Sequence, residues 1–123
     1  MEERKIVDIN EWIYRRGYST PEKKYMNPDG TATSRVFKLK EKDKGELSVD
    51  VESLTTPELS VTDKSRFMLF KLANKSVEDN GLKTYHSPEK DGSNNAHAVI
   101  IGMSLEDDIL PGILARVSKR IYI

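Results

Sequence analysis

The side chains of this chain that could carry chemistry are few: His86 and His97, the adjacent Arg15 and Arg16, and the serines Ser34 and Ser48. An imidazole titrates near neutrality and can act as general acid or base. Paired arginines can grip a phosphate or carboxylate through their planar forks. Each has a plainer reading beside it: histidines hydrogen-bonded at the rim of a sheet, and solvated arginines edging an apolar strand. His97 is the stronger of the two histidines, because the turn Asn94-Asn95-Ala96-His97 could hold it at the mouth of a sheet. Two histidines with only Glu89 and Asp91 between them make a poor ligand set, so neither a metal nor a bound cofactor is expected. Glu106-Asp107-Asp108 reads as the acidic complement of a helix start. The chain has no cysteine, which excludes thiolate nucleophiles, disulfides and zinc fingers. Its glycines form neither a dinucleotide nor a P-loop signature, and no GxSxG elbow occurs. No residue can be assigned as catalytic on these grounds.

Composition narrows the classes further. At 123 residues the chain is expected to be one globular domain, 1–123, burying roughly two-thirds of its unfolded surface. Lys and Arg number 20, as do Asp and Glu, for a formal net charge of zero. Residues 1–40 carry 9 basic and 6 acidic groups, and residues 41–80 carry 6 and 9. That mild polarity is not a basic stripe, so nucleic-acid binding is not expected. The opening MEERK is charged on both signs and does not read as a secretory signal. The longest apolar runs, Phe67 to Phe70 and Ala98 to Ile101, fall far short of a membrane span. A cytoplasmic protein is the expectation.

The elements that would position the candidates are expected as follows. Asn27-Pro28-Asp29-Gly30 is a turn, Ser34 to Lys40 a strand, Glu41 to Gly45 a charged turn, and Leu47 to Val51 an alternating strand, together a β-hairpin. Asp8 to Arg16 reads equally as a helix opened by a capping box at Asp8 and Glu11, or as a turn followed by a strand from Trp12. Tyr18 to Thr33 is a long loop pinned by Tyr18, Tyr25 and Met26. Thr55-Thr56-Pro57-Glu58 starts a short helix. Lys64 to Leu72 is helix or strand, with the strand preferred, because Asn74 to Gly81 then forms a short helix. Leu82 to His86 and Ala96 to Gly102 are strands. A turn from Leu105 leads to a helix from Pro111 to about Arg120, with Ile113, Leu114, Val117 and Ile121 facing inward. The sum is an α+β domain with about five strands in a mixed or antiparallel sheet, a C-terminal helix and short connecting helices.

Several short strings add a resemblance. YRR at Tyr14 to Arg16, PDG at Pro28 to Gly30, Ser34 with Phe37, KDKGELSVD at Lys42 to Asp50, TTPE at Thr55 to Glu58 and NAHAVI at Asn95 to Ile100 occur in one order. From about residue 12 to 102 the chain resembles a family of small uncharacterised bacterial proteins. The resemblance implies a bacterial cytosolic protein and brings no activity. Its matching positions are Arg15, Arg16, Ser34, Phe37, Ser48 and His97, which form the candidate functional surface. The first expectation is an accessory protein that binds a protein partner encoded nearby, in a defence or toxin–antitoxin type locus, docking it on a sheet edge beside the long loop. The alternative is a small NAD- or nucleotide-processing enzyme of ADP-ribosyltransferase-like type, an analogy of fold only. There Arg15 or Arg16 would grip phosphate, Ser34 or Ser48 would orient the ribose, and His97 would complete the site.

Overall fold

A computed structural model describes residues 4–123, so the first three residues of the charged opening lie outside it. Six strands form one antiparallel sheet. They are β1 (Trp12–Tyr18), β2 (Glu46–Val51), β3 (Phe67–Ala73), β4 (Lys83–His86), β5 (His97–Ile101) and β6 (Lys119–Ile121). Their order across the sheet is β4-β5-β2-β1-β3-β6, and every pair is antiparallel. Three short helices join them: α1 (Pro57–Ser60), α2 (Asn74–Asp79) and α3 (Leu110–Val117). The expected α+β class and its C-terminal helix are present. Among the described residues no helix is long and apolar enough to cross a membrane.

The alternation of Leu47, Val49 and Val51 puts these side chains on one face, as the period of a strand requires. Ile13, Phe70, Leu72, Ala98 and Ile100 join them there. Val36, Phe37, Leu39, Val77 and Leu114 close the core over this face. The opposite face carries only a small apolar cluster of Tyr14, Val61 and Leu69, with Phe67 and Ile121 against it. Val99 and Asp50 are also buried on that face.

Local chemistry decided several elements. Asp8 caps a turn by accepting the Asn10 N–H at 2.8 Å, and a strand follows from Trp12, so the strand reading of this segment is the observed one. Thr56 accepts the Leu59 N–H and starts α1 with Pro57 in its first turn. Gly81, at φ 79°, closes the turn after α2. Three exposed loops repeat one device: Asp29, Asp63 and Asp91 each accept the backbone N–H two residues on, from Thr31, Ser65 and Ser93. Those bonds hold all three carboxyl groups below their ordinary pKa, in each case led by a hydrogen bond from the same threonine or serine side chain. The long loop is pinned as expected, with Tyr25 buried and Met26 bridged to Ala32.

Two expectations are corrected. Ser34 to Lys40 is not a strand, and there is no hairpin with β2. Ser34–Val36 is a 3-10 turn, and Val36 and Phe37 are both buried although strand alternation would separate them. Both edges of β2 are taken, by β1 and by β5, so the segment has no ladder to join. It packs instead against α3. At the C-terminus, the helix ends at Val117 and the chain turns into β6, which pairs Leu69, Phe70 and Lys71 of β3. Pairing this edge satisfies backbone groups that a longer helix would leave open. Val117 is consequently exposed, and Ile121 lies on the far face of the sheet.

One buried amide ties the ends of the fold together. Asn74 is fully buried, and its Nδ2 donates to the carbonyls of Val7 and Asp8, each at 3.1 Å. Its Oδ1 accepts the hydroxyl of the equally buried Thr84. The N-terminal segment is thereby held along β4, where Val7 donates to Thr84 and His86 donates to the carbonyl of Lys5. Replacing Asn74 with alanine removes the side-chain partner of the Val7 carbonyl and the Thr84 hydroxyl in the interior, while the Asp8 carbonyl still accepts the Glu11 N–H. Asn74→Ala is expected to lower the unfolding free energy by about 2–4 kcal/mol, read as a lower urea midpoint with an unchanged slope.

Candidate functional site

The site begins where two central strands separate. β1 and β2 pair only at Ile13 with Val51 and Tyr14 with Asp50, although both strands continue. Beyond that point the Arg15 side chain takes the place of the ladder. Its Nη1 donates to the Ser48 carbonyl at 2.7 Å and its Nε to the Val36 carbonyl at 2.8 Å. Burial lowers the guanidinium's pKa, and the charge of Asp43 acts against this. Among the described residues no carboxylate lies within ion-pair distance of Arg15, so the half-buried guanidinium is held by two carbonyl dipoles, with Asp43 acting on it only from a distance.

The separation opens a cleft of about 280 Å³. Arg15, Arg16, Gly17 and Tyr18 line it from β1, Ser48 from β2, and Lys40, Lys42 and Asp43 from the turn before β2. That lining sets four cations against one carboxylate, and Asp43 already accepts the Lys40 backbone N–H at 2.8 Å. Lys40 donates to the Tyr25 hydroxyl at 2.8 Å and lies within cation–π reach of the Tyr18 and Tyr25 rings. Neither Arg16 nor Lys42 has a hydrogen-bond or ion-pair partner among the described residues. A second, more apolar cavity of about 230 Å³ lies on the other side of Tyr18 and Tyr25, lined also by Pro21, Met26 and Met68. Gly17 permits this arrangement, since a Cβ there would lie 3.3 Å from both the Tyr25 and Phe70 rings.

On the face opposite the main core the same strands carry a second group. Strand alternation and register place Tyr14, Arg16, Ser48, Asp50 and His97 side by side, Tyr14 opposite Asp50 and Asp50 opposite His97. They line a shallow depression that shares Arg16 and Ser48 with the cleft. His97 Nδ1 lies 2.7 Å from the Ser87 carbonyl and Nε2 lies 3.2 Å from Ser48 Oγ. Asp50 is buried and accepts from Ser60 and Asn94, anchoring α1 and the loop before β5 to β2.

Four of the six candidate residues therefore meet: Arg15, Arg16, Ser48 and His97. Phe37 lies wholly in the core, and Ser34 is exposed on the 3-10 turn, away from the cleft lining. His86 is on the opposite face of the sheet edge, its ring bonded to the Asn95 carbonyl. The residues that sequence reasoning passed over are Lys40, Lys42 and Asp43. Their signal was the basic–acidic alternation ahead of Gly45, which reads as a solvated turn until the strands are seen to part beside it.

A scan against protein-family models finds no match to this chain, and neither do comparisons with curated proteins and with solved structures.

Two measurements test the geometry. Arg15→Met strands the Ser48 and Val36 carbonyls and is expected to cost about 2–4 kcal/mol in urea unfolding, with Arg15→Lys no better because an ammonium lacks the guanidinium fork. Arg16→Met should change stability by less than about 0.5 kcal/mol. Separately, burial and the carboxylates of Glu52 and Glu58 push the Tyr14 phenol up to about 12 from 10.0. The folded state then keeps a proton that the unfolded chain releases, so Tyr14's contribution is intact below pH 10 and is lost as pH rises toward 12. In a phenolate absorbance titration Tyr14 should ionise late, and Tyr14→Phe should remove that late phase.

Proposed function

We infer that this protein is a small ligand-binding domain whose cleft between β1 and β2 takes a phosphorylated, ring-bearing molecule of the nucleotide class. The observation that carries the reading is the half-buried Arg15 guanidinium, without an ion-paired carboxylate among the described residues, lining a cleft that Arg16, Lys40 and Lys42 also line. Partial desolvation of such a charge is costly, and an incoming phosphate offsets that cost through charge-assisted hydrogen bonds. Two of the guanidinium's five donors are spent on carbonyls, and the others are available to a ligand. The adjoining cavity, bounded by Tyr18, Tyr25, Pro21 and two methionines, suits a flat ring. Cationic and apolar compartments sharing Tyr18 and Tyr25 match the two ends of a nucleotide. The combined volume is in the range of small-molecule sites.

The partner-binding role in a bacterial defence-type locus is the less supported reading. It needs an open sheet edge, whereas β4 is bordered by residues 5–7 and the other edge, β6, is three residues long.

Titration calorimetry with ADP, pyrophosphate and adenosine separates the contributions. ADP is expected to bind more tightly than pyrophosphate, adenosine most weakly, and ADP affinity should fall as salt rises. The double variant R16M/K42M should weaken ADP by at least tenfold, about 1.4 kcal/mol, while unfolding like the parent. If neither ADP nor pyrophosphate binds, or if the double variant binds ADP equally well, the reading is wrong.

A further inference from the structure

We propose that Ser48 and His97 form a nucleophile–base pair that hydrolyses a phosphoanhydride of the bound nucleotide through a phosphoserine intermediate. The proposal rests on the nucleotide-binding reading of the adjoining cleft.

The contacts orient the ring. The Ser87 carbonyl can only accept, so His97 Nδ1, 2.7 Å away, carries a hydrogen. In the neutral imidazole Nε2 is then the lone-pair nitrogen, with the Ser48 hydroxyl 3.2 Å away and able to donate to it. That is the protonation pattern of a general base set against its nucleophile, with the base oriented from behind by a third group. Glu89 Oε1, 3.8 Å from Nδ1, and Asp50, the cross-strand partner of His97, are placed to stabilise the imidazolium once it forms. The second contact goes to Ser48, a half-buried residue that lines both the cationic cleft and the depression holding His97. A phosphoryl group held by Arg15 and Arg16 would present its phosphorus to Ser48.

In the first step Ser48 Oγ attacks the terminal phosphorus, and its proton passes to His97 Nε2. The bond from that phosphorus to the bridging oxygen breaks on the far side, and the shortened nucleotide leaves as an anion. The leaving phosphate needs no proton, which suits a site with its one histidine on the nucleophile's side. In the second step water attacks the phosphoserine from the vacated side. The bond from phosphorus to Ser48 Oγ breaks, the imidazolium returns its proton to that oxygen, and the water's proton leaves with inorganic phosphate or to solvent. The balance is one nucleotide and one water in, one shortened nucleotide and one phosphate out.

The test uses the full chain with ADP and with ATP, each with and without magnesium. Phosphate release is measured, and the intact mass is followed after acid quench. Release is expected, together with a protein one phosphoryl group heavier that maps to Ser48. Ser48→Ala should abolish both and still bind ADP by calorimetry. His97→Asn and His97→Gln should slow adduct formation by about a hundredfold or more, and at least one of them should retain the parent's urea midpoint. If the parent binds ADP but neither releases phosphate nor forms the adduct, or if Ser48→Ala releases phosphate as fast as the parent, the proposal is overturned while the binding reading stands. If ADP does not bind, this proposal falls, and if pyrophosphate does not bind either, the binding reading falls with it.

Discussion

The structure depends on one substitution of a side chain for a backbone ladder. β1 and β2 are the two middle strands of the sheet, and neighbours in that position ordinarily pair along their shared length. Here the pairing stops after Tyr14 and Asp50, and the Arg15 guanidinium spans the gap to the Ser48 and Val36 carbonyls. β1 nevertheless remains fully paired on its other side, from Trp12 with Ala73 to Tyr18 with Phe67. The sheet can therefore split on one side of β1 without losing its continuity. Every cation of the cleft is arranged around that split. A guanidinium suits this role, because its planar fork satisfies two carbonyls and leaves further donors unspent.

A cluster of buried polar bonds lies toward the β4 edge of the sheet. Asn74 and Thr84 link the N-terminal segment, the start of α2 and β4 through buried polar bonds. Asp50 performs the corresponding task nearer the site, fastening Ser60 of α1 and Asn94 of the preceding loop. Buried polar groups of this kind are expensive when unmet and specify a single arrangement when fully met. The consequence is that His97 and Ser48 sit on strands whose surroundings are held.

Lys38 illustrates the same economy on the core side. Its ammonium reaches the carbonyls of Leu105 and Asp107 and the Asp108 carboxylate, and so holds the segment that leads into α3. Asp107 Oδ1 meanwhile accepts from Ile109 and Leu110 at the start of that helix. The acidic run is thus a structural cap, tied across the core to the 3-10 turn that sequence periodicity had taken for a strand.

By itself the sequence determined what adjacent residues can decide. Asp-Gly-Thr and Asp-Gly-Ser close their loops, Thr56-Pro57 starts a helix, and the alternation from Leu47 to Val51 makes a strand with one apolar face. The α+β class follows from these, as does the presence of Arg15, Arg16, Ser48 and His97 among the candidates. The Ser34 to Lys40 segment was misread because apolar spacing over seven residues is satisfied equally by a strand or by a turn packed on a helix. The last residues were misread because Lys119–Ile121 becomes a strand only when the edge of β3 is there to pair with it. Which four candidates meet was decided by the tertiary structure alone. Arg15 reaches Val36 and Ser48, 21 and 33 residues away, and His97 reaches Ser48 across 49. No local rule encodes such distances. They follow from the order in which the strands pair and from the place where that pairing stops.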